Sequence, residues 1–303
     1  MKVTLIHNPT AGANDGPNAD ELIAMVRAEG HEVAYQSSDE ENWLAALEQP
    51  VDLIAVAGGD GTVGKVARHV QSGEIPIAVL PQGTANNLAY SLELTEIPLQ
   101  QLIASWATAR HLAFDLGIAK GPWGEDTFLE SFGMGFFAWT LCRFDEGADQ
   151  QRSEFQDPDP VVRSARQFLH ERLPEFSGRS LRVRLDGREL PGDVVLLEAM
   201  NIPTIGPHLF LAPGADPGDG LLDVVVVSEG ERDKLAAHLH DPTTQDRAYP
   251  TFPVYRGRHL QVEGKDEEFH LDDRPWPDQV AAGRPYLIDV RVNPQALAFL
   301  VPA

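Results

Sequence analysis

Cysteine is nearly absent: Cys142 is the only one in 303 residues. A single thiol excludes an intrachain disulfide and a cysteine-rich zinc site. His238 and His240 share one stretch, but no second cluster with metal-ligand spacing accompanies them, so both read as ordinary surface histidines. Long hydrophobic runs are missing too. No stretch of about 18 apolar residues occurs, so no membrane-spanning helix is expected. The apolar run after Met1 is too short for a signal peptide and reads as a buried strand. The cytoplasm is the expected compartment.

Positive charge is also scarce. The 24 Lys and Arg face 46 Asp and Glu, a formal net charge of −22. Residues 1–118 hold 5 basic and 15 acidic side chains and the remainder 19 and 31, so the excess is no property of one tail. Such a field disfavours nucleic acid and anionic membranes as partners. What is present is a globular composition, 43% hydrophobic and 23% charged. The length suffices for two domains, and no solenoid or propeller repeat is visible.

The first third alternates short apolar strands with amphipathic helices. Val3–His7, His31–Tyr35, Val51–Ala57 and Ile75–Leu80 read as strands. Ala19–Ala28 has apolar residues at helical spacing, with Gly30 placed to end it. Glu41–Leu47 reads as a short helix, and another follows the Gly58–Thr62 loop to about Val70. This predicts an α/β domain over 1–118 with a parallel sheet and helices on both faces. From about residue 110, β-favouring runs appear between turn clusters: Ser180–Leu185, Asp193–Met200, Leu221–Val227, Leu260–Glu263 and Tyr286–Val292. Pro160–Leu173 reads as one amphipathic helix among them. The second domain, 119–294, is therefore expected to be a mostly antiparallel β-sandwich, making the chain α+β overall. Gln295–Val301 could return to complete the first domain.

Three turns carry the chemistry. Gly58-Gly59-Asp60-Gly61-Thr62 lies between a buried strand and a helix. Glycines there bring backbone N–H groups close to a ligand, and the helix N-terminus adds unpaired donors, together a phosphate cradle. The bland alternative is a tight turn capped by Asp60 and Thr62, which needs only one glycine. No Gly-Lys-Ser/Thr follows, so this is not a Walker loop. Pro81-Gln82-Gly83-Thr84-Ala85-Asn86-Asn87 follows the next strand; its asparagines could cap a helix or hold a nucleotide. Asn8-Pro9-Thr10-Ala11-Gly12 follows the first strand. Turns at the C-terminal ends of parallel strands converge on one crevice.

This ordered set resembles the catalytic domain of the diacylglycerol kinase and sphingosine kinase superfamily, in particular its soluble bacterial lipid kinases. The likeness continues through Gly133-Met134-Gly135-Phe136, Asn201 with Gly206, Ala212-Pro213-Gly214-Ala215 and Asp219-Gly220-Leu221-Leu222-Asp223. The resemblance implies an ATP site. The loop Gly58, Gly59, Asp60, Gly61, Thr62 and Val63 would bind phosphates, with Asn8 and Asn86 in the flanking turns. Thr84 would contact the nucleotide, and Ser37 or Ser38 stands where the family has a nucleotide-contacting Thr. It also implies a divalent ion site, with Mg2+ as the cofactor beside ATP, around Asp219 with main-chain help from Asp216 and Leu221. The general base would be Asp272, where Asp272-Asp273-Arg274 replaces the family's Asp-Gly-Glu, with Asp273 as its rival. After Thr62 this chain has Gly64-Lys65 where the family usually shows Asn-Glu.

The acceptor implied is a hydroxyl of diacylglycerol or a related lipid, reached by transient membrane contact at the inner face; a homodimer is left open. Asp60 beside a triphosphate would be repulsive unless Mg2+ bridges them or neighbouring N–H groups hold it, and the bridged arrangement is expected. Lys65, one turn into the helix, is expected to face solvent. Phe128, Phe132, Phe136, Phe137, Trp139 and Phe144 read as core, with a lipid groove as the alternative. Asp219 and Asp223 could equally be turn formers. Rival functions are a NAD kinase, which shares the glycine loop, and a nucleotide-binding regulatory protein, which Asp273-Arg274 suggests. Arg163, Arg166 and Arg172 on the predicted helix are the candidate basic residues for membrane docking.

Overall fold

The computed structural model describes residues 1–12, 16–70, 73–143, 158–240, 251–265, 267–277 and 285–303. The chain divides into two compact units, one built chiefly of Met1–Asp115 and Gln295–Ala303, the other of described residues between Leu116 and Pro294.

In the first unit, β1 (Lys2–His7), β2 (Glu32–Ser37), β3 (Leu53–Gly58) and β4 (Ile77–Pro81) form a parallel sheet in the order β4-β3-β1-β2. The end of the long strand Pro285–Val301 adds beside β4, Phe299 opposite Ile77. All six residues of β3 are buried, which its unbroken apolar run requires. Four helices, α1 (Ala19–Ala28), α2 (Asp60–Ala67), α3 (Asn87–Ser91) and α4 (Leu99–Ser105), follow the strands; α1 packs with α4 and α2 with α3.

Local chemistry explains the element ends. The side chain of Asn18 accepts from Glu21 N while the Glu21 carboxylate accepts from Asn18 N, a reciprocal cap that starts α1. Leu22 and Val26 then bury its apolar stripe, and Gly30 leaves at φ +78°. Two expectations shift. The helix expected over Glu41–Leu47 is a 3-10 helix at Trp43–Glu48, anchored by buried Trp43. β4 begins at Ile77 because Pro76 has no N–H to pair, although its carbonyl accepts from Ile54 N.

The second unit is built around two larger antiparallel sheets. One runs Val254–Gly257, Leu222–Val227, Leu196–Met200, Ser131–Gly135, Phe269–Leu271, Arg274–Pro275. The other runs Arg188–Leu190, Arg182–Leu185, His259–Lys265 and the first part of Pro285–Val301. Phe132, Leu197, Val224 and Phe269 of the first sheet share a core with Val183, Leu260, Val262 and Ile288 of the second, so the two form a sandwich. The first sheet's other face carries Leu196, Val225 and Val227, packed with Leu169 and Leu235 from the helices Pro158–Arg172 and Arg232–His240. Successive residues of one strand thus enter different cores, and Val224–Val227 must be apolar at every position.

Two expectations are corrected here. His238 is not a surface residue; it is 2% exposed, and its carbonyl accepts from Arg166. Arg166 is therefore unavailable for docking: it is 3% exposed and also donates to the carbonyls of Pro207 and His208. Arg172 bonds Glu175, and Arg163 is exposed. Of the aromatic cluster, Phe128 and Phe132 belong to the sandwich core and Phe136 and Phe137 to the second core, with Trp139 half-buried. Phe144 lies outside the described residues. Among the described residues no helix is long and apolar enough to cross a membrane.

Candidate active site

The glycine turns of the first unit meet backbone to backbone. A Cβ placed on Gly59 would lie 2.9 Å from Gly83 Cα, and one placed on Gly83 would lie 2.4 Å from Gly59 Cα. No other residue pair allows that approach without moving main chain. The third turn joins them at Gly12, where a Cβ would fall 2.4 Å from the Gln82 carbonyl oxygen. Gly59 is the N-cap of α2, so the Gly59–Gly61 stretch forms its N-terminal edge, where helical N–H groups have no intrahelical acceptor. Thr62 N and Val63 N both turn back to the Gly59 carbonyl. Val63 is buried at 1% exposure with its N–H engaged.

Asp60 reaches across to the next helix. Its carboxylate accepts from Asn87 N at 2.8 Å and Leu88 N at 2.9 Å, capping α3 from a different helix. Neighbouring N–H groups hold Asp60, the arrangement named beside the Mg2+ bridge as able to offset its repulsion of a triphosphate. Asn86, in the left-handed region at φ 54°, closes its own turn by bonding both the N–H and the carbonyl of Gly83. Thr84 sits half-buried in the same turn. Asn8 donates to Thr62 Oγ1 at 3.1 Å and accepts from Thr10, so it braces the loop from the β1 side.

Lys65 does not face solvent. Its Nζ donates to the Ser38 carbonyl at 2.6 Å and stands 4.6 Å from the centre of the Trp43 ring. It thereby ties α2 to the turn after β2. Ser38 is buried at 3% exposure, and Ser37 is the more accessible of the two serines, its hydroxyl accepting from Asp39 N.

In the second unit, Asp216, Asp219 and Leu221 lie in one turn. Asp216 Oδ1 accepts from Gly218 N, Asp219 Oδ1 accepts from Leu221 N, and Asp219 Oδ2 pairs with Arg256. Asp223, 2% exposed, also faces Arg256 at 3.4 Å. Burial pushes its carboxyl up despite that guanidinium, and Asp219 and Asp216 add to the rise. Two carboxylates, Asp219 and Asp223, share one guanidinium, with Asp216 in the adjoining turn; oxygen donors are the kind Mg2+ takes, so the residues fit a divalent ion in kind. Among the described residues no group of three or more His, Cys, Asp or Glu is gathered closely enough to hold a metal by side chains alone.

Asp272 is 8% exposed, and its Oδ1 accepts from Leu129 N at 2.9 Å and Glu130 N at 2.8 Å. Asn201 holds that same 129–130 segment, its side chain donating to the Leu129 carbonyl and its N–H to the Glu130 carbonyl. Arg274 pairs with Asp126 at 2.7 Å. The roles of Asn201 and Lys65, and the cap that Asp60 supplies to α3, are all long-range and have no local sequence signal. The buried pair of His270 and Glu198 was likewise unmarked.

Comparison with known proteins agrees with this architecture. Residues 2–119 match the diacylglycerol kinase catalytic domain, and residues 148–301 match the YegS C-terminal NAD kinase beta sandwich-like domain. A diacylglycerol kinase of Mycobacterium tuberculosis is 27% identical over 273 residues, covering 86% of this chain and 81% of that protein. Among solved structures, a diacylglycerol kinase from Bacillus anthracis superposes with a TM-score of 0.67 at 18% identity, covering 99% of this chain and 96% of its own. Yeast NADH kinase is a more remote likeness of fold, TM-score 0.52 at 11% identity, covering 100% of this chain and 83% of its own. The chain belongs to the diacylglycerol kinase-like family of bacterial lipid kinases with a YegS-type C-terminal domain.

Proposed function

We propose that this protein transfers the γ-phosphoryl group of ATP to a hydroxyl of diacylglycerol or a related lipid. The observation that carries the reading is the contact of Gly59 with Gly83, which puts two glycine turns on one helix N-terminus in a domain of this family. Phosphoryl transfer needs in-line positioning and cancellation of negative charge more than covalent help. The Gly59–Gly61 backbone would supply the positioning, with Asn8 and Asn86 keeping the turns in shape and Thr84 and Ser37 contacting the nucleotide. Mg2+ carried with ATP would offset the phosphate charge, and Asp216, Asp219 and the Leu221 main chain are the proposed holders of a separate divalent ion. Asp272 would orient the lipid hydroxyl and take its proton.

The experiment is an acceptor panel: labelled ATP with diacylglycerol, other lipid alcohols, NAD and soluble polyols, for the wild type and Asp272→Asn. The reading expects label on a lipid alcohol. Asp272→Asn should keep its ATP affinity and lose roughly 10²–10⁴ in turnover. Label on NAD or a polyol alone would sink the lipid assignment. Loss of turnover in Asp273→Asn but not Asp272→Asn would move the base by one residue.

A further inference from the structure

Three neighbouring strands set Glu198, Gly133 and His270 directly opposite one another. Side chains on the outer two of three strands stand about two strand spacings apart, roughly 10 Å, and a side chain on the middle strand ordinarily separates them. Gly133 has none. A Cβ there would lie 2.0 Å from His270 Nε2 and 2.2 Å from Glu198 Oε2. Through this gap His270 Nε2 and Glu198 Oε1 meet at 2.9 Å, with both residues fully buried.

A buried ion pair is a poor way to stabilise a sheet, since apolar residues of similar size do as well or better. Glu198 Oε2 moreover has no hydrogen-bond partner among the described residues. Stability alone therefore does not account for the pair. The other ring nitrogen of His270, Nδ1, lies 2.8 Å from the carbonyl oxygen of Asp272. Asp272 sits at φ 55°, a conformation that a non-glycine residue keeps only when its surroundings enforce it.

We propose that Glu198 and His270 are positioning residues for Asp272, holding the turn that aims its carboxylate. This rests on the reading of Asp272 as the proton acceptor. Glu198 accepts a hydrogen bond from Nε2–H, which fixes the ring's orientation, and Nδ1–H donates to the Asp272 carbonyl. Burial pulls the imidazole down, but Glu198 and Asp272 outweigh it, so the ring lies above its ordinary pKa, and charge strengthens both bonds. Leu129 N and Glu130 N fix the carboxylate, so side chain and main chain of Asp272 are held independently. The glycine of Gly133-Met134-Gly135 is thereby explained as the opening through which the pair meets.

The test replaces the pair by apolar residues, Glu198→Leu with His270→Phe, and measures transfer from labelled ATP to diacylglycerol in neutral detergent. The expected protein is folded, binds ATP as the wild type does by calorimetry, keeps its KM for ATP, and loses roughly 10- to 100-fold in kcat, as misplacement of a reacting group does. Glu198→Gln should keep most of the turnover, because its amide can donate to Nε2 and leave the proton on Nδ1. If the double variant does not fold, Glu198→Leu alone, which leaves the ring untethered, should show the same loss. Wild-type kcat in these variants while Asp272→Asn has lost turnover would overturn the inference and leave the function standing. Wild-type turnover in Asp272→Asn would remove Asp272 as the base and this inference with it, while the acceptor panel decides the function separately.

Discussion

Burial depresses the pKa of His238 to about 4, and the guanidinium of Arg166 adds to the shift. The folded value lies below the unfolded one, so the folded state binds fewer protons. Stability from the neutral ring is present above about pH 6.5 and is lost as pH falls toward 4, by roughly 3 kcal/mol over that window. His238→Leu should lower stability at pH 7 and flatten this decline, as chemical denaturation at pH 7 and 4.5 would show; equal losses in both proteins would remove His238 as the cause. His270 has the opposite sign. Its raised pKa gives a contribution present below about 6.5 and lost as pH rises through the folded value. Gly59 tests the cradle most locally: Gly59→Val drives a side chain into the Gly83 backbone and should abolish ATP binding. Unchanged affinity by calorimetry in a folded variant would end the phosphate-cradle reading. The glycines were legible in the sequence because a glycine at a strand end is a local signal. The burial of His238 was not, because it depends on which helix face meets Arg166.

Elements take their positions from single side chains on other elements. The cap that Asp60 gives α3 supports the 83–86 turn, so Asp60→Asn should cost about 1–2 kcal/mol of stability and weaken ATP binding together. A variant that loses affinity with no change in thermal unfolding would point to direct ligand contact instead. The turn of Asp216, Asp219 and Leu221 is separable from nucleotide binding. Asp219→Ala should raise the free divalent concentration needed for activity and leave Mg-ATP affinity alone; an unchanged metal dependence would leave Asp219 as the partner of Arg256 and cap of Leu221. The parallel strands and α1 were readable from apolar runs, helical spacing and the Asn18–Glu21 cap, because each is decided within a few residues. The pairing of Lys65 with Ser38, 27 residues away, was not, since solvent is the default partner of an isolated helical lysine.

The whole molecule carries −22, and one of the three arginines proposed for docking, Arg166, is buried. Long-range attraction to an anionic bilayer is therefore absent; each basic residue would have added about 1 kcal/mol there. Activity on vesicle-borne lipid should fall as anionic lipid is added and recover partly when salt screens the repulsion. Strong activation by anionic vesicles at low salt would refute the charge argument. The proposed lipid acceptor rests on family resemblance alone, because no composition or spacing in the chain encodes a lipid. The central claim is transfer from ATP, held on the turns that meet at Gly59 and Gly83, to a lipid hydroxyl. Its most direct measurement is single-turnover transfer of labelled γ-phosphate to short-chain diacylglycerol in neutral detergent, comparing the wild type with Gly59→Val. The account predicts labelled phospholipid from the wild type and none from the variant. Labelled product from neither protein with any lipid alcohol, while ATP still binds the wild type, would contradict it.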